Sequence, residues 1–218
     1  MTTDPARGRL AALAPFVAAM AAIVVLSNVL VQFPVQATLA GVNLADTLTW
    51  GAFTYPVAFL VTDLANRRLG PSRARRVVLA GFVIAVALSI ALASPRIAIA
   101  SGSAFLVAQM LDVSVFDRLR EGAWWRAPLA SSVIGSIVDT LVFFSLAFAP
   151  AFGALDFGGA DGSLGFSVPL LGFGTEVPLW TSLALGDLIV KALVALALLG
   201  PYGALRGRDA ASGRGVLA

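Results

Sequence analysis

The chain has 218 residues, of which 59% are hydrophobic and 12% charged. Soluble domains carry roughly 25% charged residues, so this composition indicates an integral membrane protein. The net charge of +3 comes from arginines clustered between apolar segments, a pattern that orients membrane proteins rather than one that binds nucleic acid. Since the chain has no cysteine and no histidine, disulfides, zinc–thiolate sites, iron–sulfur clusters and Ser–His catalysis are excluded. No metal and no cofactor is predicted.

Apolar segments of about 20 residues, the length that crosses a bilayer as a helix, recur along the chain. The run behind the short basic N-terminus is too long for a signal-peptide core, so we interpret it as a retained first helix. The whole chain, 1–218, is predicted to be a single all-α transmembrane domain with a short tail at 200–218. The six predicted spans cover residues of about 10–33, 47–64, 77–93, 97–116, 128–148 and 179–199.

Arginines are concentrated in alternate connections, and this distribution predicts the orientation of the spans. The connection after the second span holds five arginines, and both ends of the chain and the fourth connection are also arginine-rich. The first and fifth connections have none, and the third has only Arg96. By the positive-inside rule, both termini are predicted to be cytoplasmic.

The first two spans carry polar residues at helical spacing. Asn28 and Gln32 lie one turn apart near the end of the first span. Pro56 predicts a kink in the second span, which a membrane helix tolerates because its neighbours can satisfy the freed backbone groups. The stripe on the second span consists of Tyr55, Phe59, Thr62 and Asn66.

Asp63, at the end of the second span, has two interpretations. It precedes Arg67 by four residues, so a surface ion pair within the helix accounts for it. A role in an interior site is the alternative, and the sequence does not decide between them. The third span carries no polar stripe and is interpreted as scaffold.

The fourth and fifth spans carry the clearest polar faces, and the stretch between them is charged. Asp112 is predicted to lie near the cytoplasmic surface, within reach of water, whereas Asp139 is predicted near the membrane centre. Trp124 and Trp125 are interpreted as interface anchors. The faces are formed by Ser101, Phe105, Gln109, Asp112 and Phe116 on the fourth span, and by Ser132, Ser136, Asp139 and Phe143 on the fifth.

Residues 150–178 form a glycine-rich connection with three acidic residues and no basic one. Its position after the fifth span predicts an external loop. Part of it, at about 164–173, is apolar enough to cap a cavity, but the composition favours a flexible linker.

Three charged residues, Asp139, Asp187 and Lys191, are predicted near the middle of the membrane. Each such residue costs about 2.5–3.5 kcal/mol on insertion scales, so an interhelical lock or a functional site is required. Lys191 can pair with one acid, which leaves the other to be protonated, hydrated or matched to a ligand. The predicted substrate-binding residues are Asn28, Gln32, Tyr55, Phe59, Gln109, Asp112, Ser136, Asp139, Thr140, Asp187 and Lys191.

Amides, carboxylates and aromatic rings in one site suit a neutral heterocycle with donors and acceptors on its edge, such as a purine-like base. An enzyme is not predicted. No phosphate-binding glycine loop of the Walker type is present, so the chain does not hydrolyse ATP by itself. An aspartate-dyad protease built from Asp139 and Asp187 is disfavoured, because its glycine-flanked signature is only hinted at by Gly186.

Two stretches and the last helix resemble a known family. LDVSVFDRLREGAWWRAPLASSVIGSIVDTLVFF, over residues 111–144, resembles the signature region of the queuosine precursor transporters, also called the putative vitamin uptake transporters (VUT family). YPVAFLVTDLANRRLGPSRARRVVLAGF, over 55–82, and GDLIVKALVAL, over 186–196, are similar to further blocks of that family. The N-terminal helix and the glycine-rich fifth loop match it poorly.

The resemblance implies a bacterial inner-membrane importer of 7-deazaguanine bases. The expected substrates are 7-cyano-7-deazaguanine and its 7-aminomethyl derivative, which feed queuosine modification of tRNA. A compact six-helix bundle similar to the substrate-binding subunits of energy-coupling-factor transporters is also implied. Within it, Gln109 and Asp112 would read the guanine-like edge, Asp139 and Lys191 would form a gating pair, and Tyr55 or Phe59 would stack on the base.

Three classes of function stay open at this stage: a solute transporter, which is favoured, a substrate-binding subunit of a multi-component ATP-driven importer, and a structural membrane protein. The expected partners are a small deazapurine and the lipid bilayer, without nucleic acid, and a homo-oligomer is compatible with the sequence. The energy source is not determined.

Overall fold

The chain is a bundle of helices joined by short connections, and a computed structural model describes residues 5–39, 41–92, 94–156 and 165–211. The helices are α1 (Pro5–Leu30), α2 (Gly51–Thr54), α3 (Val57–Leu69), α4 (Pro71–Leu92), α5 (Pro95–Leu119), α6 (Arg126–Phe148) and α7 (Leu179–Ala211). Two hairpins are formed by β1 (Thr38–Leu39) with β2 (Val42–Asn43), and by β3 (Ser167–Pro169) with β4 (Glu176–Pro178). Single 3₁₀ turns cover Leu44–Asp46, Pro150–Leu155 and Leu170–Gly172.

Five of these helices are long and apolar enough to cross a membrane. The prediction of an all-α membrane protein is therefore confirmed, and the chain is a multi-pass membrane protein. The apolar stretches correspond to the first predicted span and to the third through sixth: they are Ala11–Leu30, Pro71–Ala91, Pro95–Leu119, Arg126–Phe148 and Leu179–Gly207.

The second predicted span is divided into α2 and α3 at Tyr55 and Pro56. Because Pro56 has no N–H to donate, the helical hydrogen-bond ladder is interrupted there. The Ala58 N–H instead donates to the Tyr55 carbonyl at 2.9 Å, which closes a tighter turn. The helix is thus interrupted at the proline where a kink was predicted, and the helical part runs from Gly51 to Leu69 rather than over 47–64.

Most arginines of the described helices lie at one end of the bundle, here called the arginine-rich end. The Arg67 guanidinium of α3 donates to the Arg120 carbonyl beyond α5 at 2.7 Å, so these helix ends meet. Gly70 alone links α3 to α4, with φ of +84°, a conformation that suits glycine at a helix end. The residues that define this end are Arg67, Arg68, Arg73, Arg75, Arg76, Arg118, Arg120, Arg126 and Arg206.

The last helix is longer than predicted. The prediction that Gly200 and Pro201 end it is wrong, because α7 continues through them to Ala211. Pro201 is tolerated inside a membrane helix, and the next residue explains why the helix persists. Tyr202 is buried and its ring meets Phe116 of α5 edge to face at 6.3 Å. The tail predicted at 200–218 is thus helical over its described part.

The opposite end of the bundle, here called the hairpin end, carries both hairpins. A flexible linker over 150–178 is wrong for 165–178, where β3 and β4 pair in register from Ser167 with Pro178 to Pro169 with Glu176. Residues 157–164 lie outside the described ones. Ser182 of α7 accepts a hydrogen bond from the Leu171 N–H at 3.0 Å, which fixes this hairpin to the helix. The hairpin therefore covers the start of α7.

Helices α5 and α6 are antiparallel neighbours with the most extensive contact in the bundle. Arg96 of α5 secures their hairpin-end junction: its guanidinium donates to the carbonyls of Leu146 and Ala149 and forms an ion pair with Asp156 at 2.9 Å. These bonds satisfy carbonyls that the end of α6 leaves without helical partners. The two predicted polar stripes are consequently held side by side.

Candidate functional site

A cavity of about 350 Å³ opens among the helices toward the hairpin end. Pockets for small molecules measure roughly 300–1,000 Å³, so it is large enough for a bicyclic base. Its wall combines three aromatic rings of α6 with polar side chains from several elements. Its wall includes Asn28, Gln32, Tyr55, Ser89, Phe143, Phe144, Phe148, Asp139, Asp187 and Lys191.

Lys191 stands at the centre of the charged wall of this cavity. Its Nζ lies 2.7 Å from Asp139 Oδ2 and 2.6 Å from Asp187 Oδ2, so it binds both acids at once. Asp187 is one turn away on α7, whereas Asp139 reaches across from α6. We call these three side chains the Lys191 triad. With Lys191 protonated and both acids ionised, the triad carries one net negative charge.

Two hydroxyl groups complete the triad. The Tyr55 hydroxyl donates to Asp139 Oδ1 at 2.9 Å, and the Thr140 hydroxyl donates to Asp187 Oδ2 at 2.9 Å. The Lys191 ammonium also lies 5.0 Å from the centre of the Tyr55 ring, within cation–π range. Buried ions are stable only with such partners, because each loses several kcal/mol of hydration. Asp187 Oδ1 is left without a hydrogen bond from the described residues.

Asn28 and Gln32 extend the polar wall along α1. Each side-chain amide donates to the carbonyl one turn earlier, at 2.9 Å for Asn28 and 3.1 Å for Gln32. These bonds use the amide nitrogens and leave the amide oxygens turned away from the helix backbone. The cavity thus offers acceptors on α1 and α7 and aromatic faces on α6.

A second polar region lies closer to the arginine-rich end and is called the buried cluster. Asp63 of α3 is 1% exposed, and it accepts hydrogen bonds from Ser131 at 3.1 Å and Ser132 at 3.5 Å. Of the two interpretations of Asp63, the ion pair with Arg67 is wrong, because the Arg67 side chain binds a carbonyl of the α5–α6 connection instead. Asp112 of α5 is 0% exposed and interacts with Asp63.

Amide side chains flank the two acids of the buried cluster. The Thr62 hydroxyl donates to Gln109 Oε1 at 2.6 Å, and Asn66 Nδ2 donates to the Val113 carbonyl at 2.9 Å. Several buried polar atoms of the described residues are nevertheless without a hydrogen-bond partner. They are Asn66 Oδ1, Gln109 Nε2, Asp112 Oδ1, Asp112 Oδ2 and Ser136 Oγ.

Phe59 separates the cavity from the buried cluster. Its ring meets Tyr55, on the cavity side, edge to face at 6.1 Å, and Asp63 follows one turn later on the same helix. Gly135 of α6 allows the contact, since a Cβ at that position would lie 2.7 Å from the Phe59 ring. Phe59 and Gly135 therefore form an apolar contact, here called the Phe59 layer, between two polar regions.

Comparison with known proteins identifies the family. The family of putative vitamin uptake transporters matches residues 49–94 and 87–205, which is most of the chain. The chain belongs to this family. The match contains α2 to α6 and most of α7, and so every residue of the buried cluster and of the Lys191 triad.

Two curated relatives of the family carry transporter names. The chain is 40% identical over 143 residues to the "Queuosine precursor transporter" of Escherichia coli K12, across 56% of this chain and 62% of that protein. It is 39% identical over 153 residues to a "Probable queuosine precursor transporter" of Haemophilus influenzae, across 58% and 65%. The matched region thus spans less than two thirds of either relative. No solved structure matches the chain.

The structure divides the predicted site residues of this family member between the two regions. The eleven predicted residues do not line a single cavity: six line it, and Gln109 and Asp112 lie in the buried cluster. Ser136 is buried on α6, one turn after Ser132 and one turn before Asp139. Thr140 donates a hydrogen bond to Asp187 of the triad, and Phe59 lies between the cavity and the buried cluster. The six cavity residues are Asn28, Gln32, Tyr55, Asp139, Asp187 and Lys191.

Asp112 is not the accessible contact that was predicted from its position near the end of α5. The α3–α6 pair and Tyr202, on the unpredicted extension of α7, cover that end of the bundle. No site role was predicted for Ser131 or Ser132, although Ser132 lies on the predicted polar face of the fifth span. Ser89 of α4 lines the cavity although that helix was interpreted as scaffold.

Proposed function

We propose that this chain imports queuosine precursors across a bacterial inner membrane, with 7-cyano-7-deazaguanine as the substrate and its 7-aminomethyl derivative as a second one. The observation that carries the proposal is the cavity, which combines acceptors for ring N–H groups with aromatic faces. The names of the curated relatives point to the same substrate class.

The charge of the cavity suits the hydrogen-bonding edge of a deazaguanine. That edge presents a ring N–H and a 2-amino group, which a carboxylate accepts together. Asp187 is the acid with an oxygen that accepts no hydrogen bond from the described residues, so it is the proposed acceptor, and Lys191 lies 2.6 Å from its other oxygen. The net negative charge of the Lys191 triad also suits the cationic 7-aminomethyl group.

The remaining parts of the wall hold the rest of the base. Phe143, Phe144 and Phe148 offer ring faces and edges to the bicyclic system, which is the usual complement of a flat heterocycle. The amide oxygen of Gln32 or Asn28 accepts from further N–H groups. Tyr55 lies at the floor of the cavity, where its hydroxyl positions Asp139.

The orientation of the fold follows from the arginine distribution. With the arginine-rich end in the cytoplasm, both termini lie there and the cavity opens to the outside. Helices α2 and α3 together supply the crossing that completes a six-span bundle of the kind found in energy-coupling-factor binding subunits. The substrate then passes from the cavity past Phe59 to the cytoplasm.

Uptake in a bacterial host that cannot make 7-deazaguanines tests the proposal. Expression of the chain should restore queuosine in tRNA when 7-cyano-7-deazaguanine is supplied, and Asp187→Asn should reduce uptake at least about tenfold, the loss of roughly 1.4 kcal/mol of binding. Asp117→Asn is the matched control, because it makes the same change at a half-exposed acid of the arginine-rich end.

Two results would contradict this assignment. Uptake by Asp187→Asn at the wild-type rate and equal membrane level would remove the cavity as the binding site. Wild-type uptake that occurs only in the presence of separate ATPase subunits, which co-purify with the chain, would make it the binding subunit of a multi-component importer.

A further inference from the structure

Among the residues that the structure describes, the buried cluster contains two adjacent acids and no cation. Asp63 and Asp112 are both almost fully buried, and none of the salt bridges formed by the described residues includes either of them. Lys191, the only lysine, is occupied by the triad. Two ionised carboxylates in contact inside a membrane repel each other in addition to losing their hydration. The pair therefore requires one positive charge that the described side chains do not supply.

The hydrogen bonds of the cluster are incomplete in a way that identifies what is missing. The hydroxyls of Ser131 and Ser132 both donate to Asp63, at 3.1 and 3.5 Å. Both oxygens of Asp112 are unpartnered although the side chain is fully buried. An acceptor left in this state costs about 1–3 kcal/mol or more. A proton on one carboxyl group removes the repulsion and gives the other acid a donor.

We propose that Asp63 and Asp112 bind one proton between them, and that this proton moves inward with each substrate molecule. The second half of this statement rests on the proposed function, whereas the first half does not. An O–H bond forms on one carboxylate when the proton arrives, and the same bond breaks when the proton passes to water at the cytoplasmic end. No oxidation state changes, and no other covalent bond forms or breaks.

A metal cation fits the cluster less well than a proton. The Gln109 oxygen is occupied by Thr62, so the unpartnered atom of Gln109 is its amide nitrogen, a donor that a cation would repel. The described residues also contain no group of three acids that could hold a metal. The unpartnered Gln109 amide nitrogen instead fits a pair that releases its proton, because an ionised Asp112 can accept a hydrogen bond from it.

The surroundings of the pair contain few competing charges. On α7, Tyr202 is the titratable group that faces Asp63. On α3, Arg67 lies one turn from Asp63 but is bound to the Arg120 carbonyl. Helix α6 contributes neutral serines near the pair, and α5 contributes Asp112 itself. The arginine-rich end thus offers an exit beside Tyr202, and Phe59 lies between the pair and the cavity.

Infrared spectroscopy of the purified protein in lipid tests the proton without any substrate. The wild type should show the carbonyl stretch of a protonated carboxylic acid at neutral pH, and the variant Asp63→Asn with Asp112→Asn should lose it. Ser131→Ala, which keeps both acids, should shift the band because one hydrogen bond to Asp63 is lost. Asp117→Asn should leave it unchanged. A spectrum without the band, or a band that persists in the double variant, overturns the proposal.

Transport by protein reconstituted in vesicles tests the coupling. Wild-type protein should accumulate labelled 7-cyano-7-deazaguanine when the vesicle interior is alkaline, and a protonophore should abolish the accumulation. Asp112→Asn should still exchange internal for external label but accumulate none. Accumulation driven by a sodium gradient instead, or unchanged accumulation by Asp112→Asn, overturns the coupling. A wild type that exchanges no deazaguanine overturns the proposed function and the coupling with it, whereas the infrared result decides the proton by itself.

Discussion

The cavity and the buried cluster each bring two carboxylates together inside the membrane, but only the cavity supplies a cation. In the cavity, Lys191 binds both Asp139 and Asp187. In the buried cluster, Asp63 receives two serine hydroxyls and Asp112 receives none. The first pair therefore has a cationic side chain of its own. No cation among the described residues accompanies the second pair, which makes that pair suitable for binding and releasing a proton.

This difference predicts that neutralising a charged side chain changes stability differently in the cavity and in the buried cluster. The largest loss of stability is expected at Lys191. Lys191→Met leaves two acids of the cavity without a cation, which costs about 3–5 kcal/mol for a broken buried ion pair. Thermal unfolding of the purified variant should show this loss, and uptake should be abolished.

A second substitution shows whether charge is the cause. Lys191→Met combined with Asp139→Asn restores the net charge of the cavity to −1 and should recover part of the lost stability. Wild-type stability of Lys191→Met alone, or no recovery in the double variant, would contradict the triad as the element that fixes this pair.

The next effect is expected at the layer between the two regions. Gly135→Ala places a methyl group against the Phe59 ring, and overpacking of this kind costs roughly 2 kcal/mol. Thermal unfolding should show the loss, and Phe59→Leu should relieve it. Gly200→Ala is the matched control, since nothing lies within 4 Å of a Cβ there. Equal stability of the two alanine variants would show that Phe59 and Gly135 are not in close contact.

A smaller effect is expected from the hydroxyl that completes the triad. Tyr55→Phe removes the hydrogen bond to Asp139, and a bond to a charged acceptor contributes about 1.5 kcal/mol. Lys191 still holds that acid, so the fold should survive with a lower unfolding temperature. Tyr202→Phe is the natural comparison, because the second tyrosine makes no hydrogen bond to an acid among the described residues. A larger loss for Tyr202→Phe would reverse the expected order.

The smallest effect on stability is expected at Asp112. Asp112→Asn removes an acid that has no hydrogen-bond partner, so the free energy of unfolding should change by less than about 1 kcal/mol or increase. Asp139→Asn, the same change in the cavity, should destabilise because Lys191 and Tyr55 lose their acceptor. Equal destabilisation by both would erase the distinction between a pair with a fixed cation and a pair without one.

Much of this arrangement could be predicted from helical spacing. The faces that contain Gln109 with Asp112, and Ser136 with Asp139, are interior because polar side chains are costly against lipid. The kink at Pro56 followed from a missing N–H. The burial of Asp63 could not be predicted, since an arginine four residues later offered a local partner that satisfied the usual rule. Only the α3–α6 contact shows that two serines replace that arginine.

The amino-acid sequence by itself determined the class of the protein, the approximate spans, the polar faces and the family blocks, because periodicity and composition are local properties of the chain. Tertiary structure alone decided which polar residues meet. It divided one predicted site into two, assigned Lys191 to both acids of the cavity, and placed Phe59 against Gly135 between the regions. Partner choice across helices depends on rotation and depth, and residue spacing along a single helix does not determine either.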